Sequence, residues 1–180
     1  MRADAQRNRD KIVEVARQVF REKGVDAPLD EIAKRAGVGA GTLYRHFPSR
    51  AELHDAVMQA WVDGVGAATD KALAHEGGAR DVLLAWLQAY VELVSAYKGA
   101  PARITSALGD PESPIVTKCQ VLTAANERVI DRLDDAIRPG VGGIEMARLA
   151  GGVAAVADGA DLDQEAVRPL LEVLADGLLR

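Results

Sequence analysis

Apolar residues recur along this chain at intervals of three and four positions, which is the period of an amphipathic α-helix. Residues 9–24 and the whole segment after residue 49 show this pattern. No stretch shows the apolar and polar alternation that a half-buried strand requires. We therefore predict an all-α fold of about nine helices, with an N-terminal three-helix unit over residues 1–48 and a helical second unit over residues 49–180.

Glycine and proline residues divide the second unit into its helices. The predicted helices run from about residue 49 to 75, over about twenty residues after the break at 76–78, between 101 and 109, from 113 to 137, from 144 to 158 and from 163 to 179. No internal repeat interrupts this succession, so the second unit is expected to be one helical domain.

The most distinctive segment of the chain is residues 29–47, LDEIAKRAGVGAGTLYRHF. It has the form of a short amphipathic helix, a glycine-centred turn and a second helix rich in hydroxyl, aromatic and basic groups. Two helices that cross steeply need a small residue at the crossing and a turn that tolerates a positive φ, and Ala33 and Gly37 supply them. One small core is predicted from Leu29, Ile32, Ala33, Ala36, Val38, Leu43 and Phe47.

The second helix of this pair leaves its polar residues on an outer face that fits the major groove of DNA. Hydroxyl and basic groups bond phosphate, and small residues let the helix backbone approach the base edges. We therefore expect it to be a recognition helix. The candidate DNA-binding residues are Ala40, Gly41, Thr42, Tyr44, Arg45, His46 and Arg50.

The segment that follows the recognition helix adds a second, independent signal. Pro48 ends the helix, Ser49 stands at an N-cap position, and Glu52 completes a capping box for the next helix. Together with the preceding helix RDKIVEVARQVFREKG, the run VGAGTLYRHFPSRAEL resembles the DNA-binding domain of the TetR family of bacterial transcriptional regulators. The resemblance covers the first third of the chain.

This resemblance implies a homodimeric regulator, most often a repressor, that binds a palindromic DNA operator and is released by a small molecule. A dimer is also needed physically, because one recognition helix contacts too few bases for a selective site. One departure is Pro28, where the family often has Ser or Thr. We expect Pro28 in the first turn of its helix, with Asp30 and Glu31 near the positive helix end.

The last two predicted helices carry contrasting surfaces. The first is crowded with small residues, MARLAGGVAAVADG, and the second is rich in leucine. The resemblance implies that two subunits pack here as a four-helix bundle, whereas the pattern alone leaves an intrachain helical hairpin equally open. The residues expected at the subunit interface are Leu149, Val153, Leu170, Leu171, Leu174 and Leu178.

Aromatic residues concentrate in the middle helices, where a pocket for a small apolar or aromatic effector would use them as walls. Asn126 shares a helical face with Cys119 and is the candidate polar anchor. An aromatic stripe at helical spacing is more often ordinary core packing, so both interpretations stay open. The candidate ligand-binding residues are Met58, Trp61, Trp86, Tyr90, Tyr97, Cys119 and Asn126.

Charge is distributed unevenly along the chain. The net charge is −5, yet residues 1–50 carry 11 Lys and Arg against 7 Asp and Glu, whereas residues 51–180 carry 11 against 20. The excess of positive charge therefore coincides with the predicted helix-turn-helix, as binding to a polyanion requires.

Several function classes find no support in the sequence. No apolar run reaches the length of a membrane helix and no signal peptide is visible, so we expect a cytoplasmic protein. The single cysteine excludes an intramolecular disulfide framework. Metal-ligand spacings and nucleotide-binding or hydrolase fingerprints are missing, so we expect no catalytic residue, metal or cofactor. A constitutive DNA-binding dimer and a small helical enzyme stay open as alternatives.

Overall fold

The computed structural model describes residues 2–24, 26–95, 98–113 and 115–180, with side chains from residue 4 onward. Within these ranges the chain forms nine α-helices and one 3₁₀ turn, and strand pairing is limited to an isolated bridge between Ile137 and Leu179. The predicted all-α fold is confirmed. The helices are α1 Arg2–Lys23, α2 Leu29–Ala36, α3 Ala40–His46, α4 Arg50–Leu73, α5 Ala79–Val94, α6 Ala100–Ala107, α7 Val116–Leu133, α8 Gly143–Gly159 and α9 Gln164–Leu178.

The helices group into two compact units, Met1–Trp61 and Val62–Arg180. The N-terminal unit extends beyond residue 48, where we predicted the DNA-binding domain to end. The reason is that Leu53 of α4 is fully buried in its core, with Ala56 and Val57 packed against the same cluster. The division of function at residue 48 stays a prediction.

The core of the N-terminal unit follows from the helical spacing of its apolar residues. From α1 it takes residues at i, i+1, i+4, i+7 and i+8, and from α2 one complete face. Each fully buried Ile, Leu or Phe contributes about 1.5–3 kcal/mol relative to an exposed one. The residues from α1 to Phe47 that form this core are Ile12, Val13, Ala16, Val19, Phe20, Ala27, Leu29, Ile32, Ala33, Ala36, Leu43 and Phe47.

The turn between α2 and α3 has the geometry that the glycine predicts. Gly37 takes a left-handed conformation, φ 67° and ψ 30°, and its N–H donates to the Lys34 carbonyl, while the Val38 N–H donates to the Ala33 carbonyl. This pair of bonds is a Schellman motif, and it satisfies carbonyls that the end of α2 would leave open. The sequence-based role of Gly37 is confirmed.

The start of α2 differs from the prediction. Pro28 lies at the N-cap with an extended ψ of 131°, outside the first turn, and offers no side-chain hydrogen bond. The expected first-turn placement is therefore wrong by one position. Asp30 and Glu31 do lie in the first turn, where their negative charges favour the positive end of the helix.

In the C-terminal unit, α8 packs against α5, α6, α7 and α9, and its small residues make these contacts close. A Cβ atom on Gly151 would lie 2.2 Å from Thr105 Oγ1, and one on Gly143 would lie 2.6 Å from the backbone oxygen of Thr123. Glycine at both positions lets α6 and α7 approach the α8 backbone. The small-residue pattern of this helix is thus used within the subunit.

Two predicted helices are shorter than expected. α5 ends at Val94, and α7 spans Val116–Leu133, whereas we predicted about 113–137. Asp134 takes a positive φ of 41° that interrupts α7. Beyond it, the Arg138 N–H donates to the Leu178 carbonyl, so this segment pairs with the end of α9.

Within the described residues, none of the helices combines the length and the apolar character needed to cross a bilayer.

Candidate DNA-binding site

The recognition helix α3 is held by its apolar side. Leu43 is fully buried and Phe47, which follows the helix, is almost so. The helix starts after Gly39, whose carbonyl accepts the N–H groups of Thr42 and Leu43 at 2.8 and 3.1 Å. These contacts leave the opposite side of α3 facing away from the core.

That opposite side carries the predicted DNA-binding residues. Ala40, Gly41 and Arg45 are exposed, and Tyr44 leaves 46% of its surface in water. Thr42 and His46 are half-buried at the edges of the face. An exposed aromatic ring beside a basic group is uncommon in a surface that has no partner. The structure therefore brings six of the seven predicted residues together on one short helix.

Gly41 has no role inside the protein that requires a glycine. A Cβ atom built on it meets nothing within 4 Å, and its φ is not positive. Glycine within a helix costs about 1 kcal/mol relative to alanine. Its absence of a side chain leaves the backbone of α3 open to close approach from outside, and Arg45 lies along the same strip with its Nε donating to the Gly41 carbonyl at 3.2 Å.

Arg50, the seventh predicted residue, is placed differently. It is the first residue of α4, and its Nη1 donates to the carbonyl of Ala27 at 2.7 Å. Its guanidinium group thus bonds the loop that leads into α2. The predicted DNA contact of Arg50 stays untested. The N-cap predicted for Ser49 is present, because the Glu52 N–H donates to the Ser49 hydroxyl.

Sequence reasoning missed a contact that supports α3 from α1. The guanidinium carbon of Arg9 lies 5.2 Å from the centre of the Phe47 ring, a cation–π geometry. The two residues are far apart in sequence, so no local spacing signals the contact. Arg9 thereby links the first helix to the end of the recognition helix.

An ion-pair cluster joins α1 to α2. Lys23 Nζ lies 2.8 Å from Glu31, and Arg35 bonds both Glu31 and Glu22, at 2.8 and 2.6 Å. Lys23 and then Arg35 hold the pKa of Glu31 below its ordinary value. Because the groups are exposed, their contribution to stability is small. Only the Glu31–Arg35 pair, four residues apart in one helix, could be anticipated from spacing.

In the C-terminal unit, three candidate ligand-binding residues form a closed hydrogen-bonded group. Trp86 Nε1 donates to Asn126 Oδ1 at 2.8 Å, Asn126 Nδ2 donates to the Gly143 carbonyl at 2.9 Å, and the Tyr90 hydroxyl donates to the Ala147 carbonyl at 3.2 Å. All three side chains are fully buried, and this burial raises the pKa of Tyr90. Their polar atoms already have partners within the chain.

The other candidate ligand-binding residues are more scattered. Cys119 is buried near this group, its thiol 3.7 Å from the Ile104 carbonyl, and burial raises its pKa. Met58 and Trp61 are half-buried residues of the N-terminal unit. Tyr97 lies outside the described residues. Their binding role stays a prediction.

The predicted interface residues divide between two faces of α8 and α9. Leu149 and Leu170 are exposed and Val153 and Leu174 half-buried, but Leu171 and Leu178 are buried inside the subunit. Leu171 and Leu178 lie on the inward face of α9, so the outward apolar face must use other residues. The structure supplies Val156, 59% exposed, and Val173, 74% exposed. Helical phase, counting seven from Leu149 and three from Leu170, would have found both.

Comparison with known proteins agrees with this architecture. Residues 12–57 match the family model of bacterial regulatory proteins, tetR family, and residues 78–180 match the model of the SbtR-like transcriptional regulator C-terminal domain. An HTH-type transcriptional regulator of Staphylococcus aureus (strain USA300) is 45% identical over 64 residues, a match that spans 35% of this chain and 35% of that relative.

Solved structures are similar over nearly the whole chain. A TetR transcriptional regulator from Streptomyces coelicolor has 30% sequence identity and a TM-score of 0.72, covering 95% of this chain and 98% of that chain. A TetR transcription regulatory protein from Mycobacterium vanbaalenii has 28% identity and a TM-score of 0.66, covering 99% of each chain. The proteins matched by sequence and by structure are transcription factors. The chain therefore belongs to the TetR family of DNA-binding transcriptional regulators and is not an enzyme.

Proposed function

We propose that this protein is a cytoplasmic homodimer that binds a palindromic DNA operator, represses transcription there, and is released by a small apolar or aromatic molecule. The observation that carries the DNA-binding part is the outward face of α3, where an exposed tyrosine and arginine flank a glycine that the fold does not need. Small and basic groups on a helix held by its other side are what major-groove recognition requires.

The outward apolar face of α8 and α9 supports the dimer. Leu149, Val156, Leu170 and Val173 are the large apolar residues exposed in the C-terminal unit among those the structure describes. Burying them against a second copy removes this surface from water, and a two-fold dimer presents two recognition helices to successive major grooves, about 34–36 Å apart. A palindromic operator is the matching DNA symmetry.

The effector would act by favouring a different separation of the two recognition helices, so that operator affinity falls by the coupling free energy. Aromatic side chains of the C-terminal unit are the proposed binding surface, with Trp86, Tyr90 and Asn126 at its centre. Transmission would run through α4, the helix that contributes residues to both units.

A second candidate is a constitutive dimeric DNA-binding protein without an effector. It is favoured by the hydrogen bonds of Trp86, Tyr90 and Asn126, which are complete without any ligand. Titrating the operator complex with a panel of hydrophobic compounds, while following tryptophan fluorescence and DNA release, separates the two. Release by any compound supports the effector, and no response across the panel supports the constitutive protein.

The placement of α3 is tested with an operator selected from random duplex DNA. We expect Tyr44→Phe and Thr42→Ala to weaken binding to all sequences, since their hydroxyls are proposed to bond phosphate. Arg45→Ala should instead change base preference by about 1–3 kcal/mol. Gel-shift titrations measure these effects, with Arg17→Ala, which removes one arm of an exposed ion pair on α1, as the control. Wild-type affinity in both hydroxyl variants would show that α3 does not lie in the groove.

Gly41→Ala should separate folding from DNA binding. We expect the variant to be more stable by about 0.5–1 kcal/mol, because alanine fits the open space and restricts the unfolded chain. Operator affinity should nevertheless fall, since the new methyl group stands between the α3 backbone and the bases. Thermal melts and gel shifts measure the two quantities.

The matched control is Gly66→Ala in α4, where a Cβ atom also meets nothing within 4 Å. It should give a similar gain in stability and leave operator affinity at the wild-type value. If Gly41→Ala binds the operator as tightly as wild type, close backbone approach at Gly41 is disproved.

A further inference from the structure

One hydrogen bond connects the two ends of the helix-turn-helix. The donor, Arg50, is the first residue after α3 and its linker, and the acceptor, the carbonyl of Ala27, comes just before the N-cap of α2. The bond therefore closes residues 28–49, which contain α2, the turn and α3, into a ring. It is the partly buried, long-range counterpart of the exposed ion pairs that join α1 to α2.

The acceptor needs this bond. Ala27 is almost fully buried, and a carbonyl withdrawn from water costs free energy unless a donor reaches it. The next residue, Pro28, has no backbone N–H and its side chain provides no cap for α2. The start of α2 is therefore fixed to a large extent by what holds the Ala27 carbonyl.

The donor is not explained by the stability of its own helix. A cation at the first residue of a helix lies near the positive end of the helix dipole, where it is unfavourable. Arg50 opens α4 in this way, in the same turn that Glu52 stabilises. A guanidinium at this position has to be justified by what it binds, and the observed partner is the loop before α2.

We propose that Arg50 is a positioning residue of the DNA-binding site, which holds the start of α2 against the start of α4 and so fixes the angle at which α3 meets the groove. The inference rests on the DNA binding by α3 proposed above. α3 has only seven residues and is packed through Leu43 and Phe47. Its orientation therefore depends on the elements at its two ends, and Arg50 ties those ends together.

The test compares Arg50→Met with wild type on a selected operator and on random duplex DNA, over a range of salt concentrations. We expect operator affinity to fall about tenfold, the value of one hydrogen bond to a charged group. Affinity for random DNA and the dependence of operator affinity on salt should not change. A misplaced α3 loses base contacts, whereas the number of phosphates neutralised stays the same.

A direct phosphate contact by Arg50 gives a different result and would overturn the inference. Affinity for operator and random DNA would then fall together, and the slope of log affinity against log salt would weaken by about two for a dimer, close to one per lost contact. A merely structural role would lower the melting temperature and leave the operator affinity of the folded protein unchanged, which also overturns it.

Arg50→Lys provides a second variant that keeps the charge. A lysine ammonium is more strongly hydrated and lacks the planar fork of arginine, so we expect operator affinity close to that of Arg50→Met. Affinity close to wild type would instead indicate a charge contact with phosphate and overturn the inference. The control is Arg17→Met, which removes one positive charge from an exposed pair of the same unit and should bind like wild type.

The two levels of the argument fail in distinguishable ways. If the wild-type protein selects no operator at all, the proposed function fails and the positioning role fails with it. If wild type is selective and Arg50→Met binds the operator equally well, only the positioning role is disproved.

Discussion

Replacing Trp86 by alanine is expected to lower the free energy of unfolding of the C-terminal unit by about 3–5 kcal/mol. The indole ring is fully buried and packs edge-on against Tyr90, with ring centres 6.1 Å apart. Its loss leaves a large space and also removes the donor to Asn126 Oδ1. Urea denaturation of the full chain, followed by circular dichroism, measures the change.

Trp86→Phe separates packing from hydrogen bonding at this position. Phenylalanine retains most of the apolar surface but no N–H, so its cost should be that of an unsatisfied buried acceptor, about 1–3 kcal/mol. If Trp86→Ala costs less than about 1 kcal/mol, the side chain borders a space that the protein tolerates empty, and the pocket interpretation gains at the expense of the core interpretation.

Val173→Asp is expected to convert the protein from a dimer to a monomer. Val173 is the most exposed large apolar residue among those described, so aspartate at this site does not disturb the core of the subunit. In a two-fold interface each copy buries one new carboxylate, and leaving a buried charge unpaired costs several kcal/mol. The dimer dissociation constant should rise at least a hundredfold, which corresponds to about 3 kcal/mol.

Sedimentation equilibrium measures this shift, and operator binding should become weaker because each half-site is then bound separately. Thr117→Asp on α7 is the control, since Thr117 is also exposed and threonine is similar in shape to valine. Leu174 is a less clean site for a charge, because it is half-buried within the subunit. A Val173→Asp protein that stays dimeric at micromolar concentration would place the interface on another surface.

The N-terminal unit could be predicted residue by residue because its structure is encoded locally. Leu29, Ile32, Leu43 and Phe47 are buried as their spacing indicates, and Gly37 takes the positive φ that the turn needs. Short-range periodicity and turn chemistry decide these features. The same information left six candidate DNA-binding residues on one face of α3.

Contacts between distant segments could not be predicted in this way. Arg50 and Ala27 are 23 positions apart, and Trp86 and Asn126 are 40 apart, so no pattern in the sequence joins them. The outward face of α9 was misassigned because leucine content was used where helical phase decides, and Leu171 consequently belongs to the core. The end of α7 was missed because aspartate rarely takes the positive φ of Asp134.

The hydrogen bonds around Asn126 also set a condition on any molecule that would bind there. Both ends of the side-chain amide are occupied, by Trp86 and by the first residue of α8, Gly143. A ligand inserted between these groups can bind only the fraction of molecules in which they have separated, and its apparent dissociation constant is the intrinsic one divided by that fraction. With about 1% of the population open, binding is weakened about a hundredfold. A compound that carries both a donor and an acceptor for Asn126 would recover the lost bonds, so effectors of this kind should be selected over pure hydrocarbons of the same size.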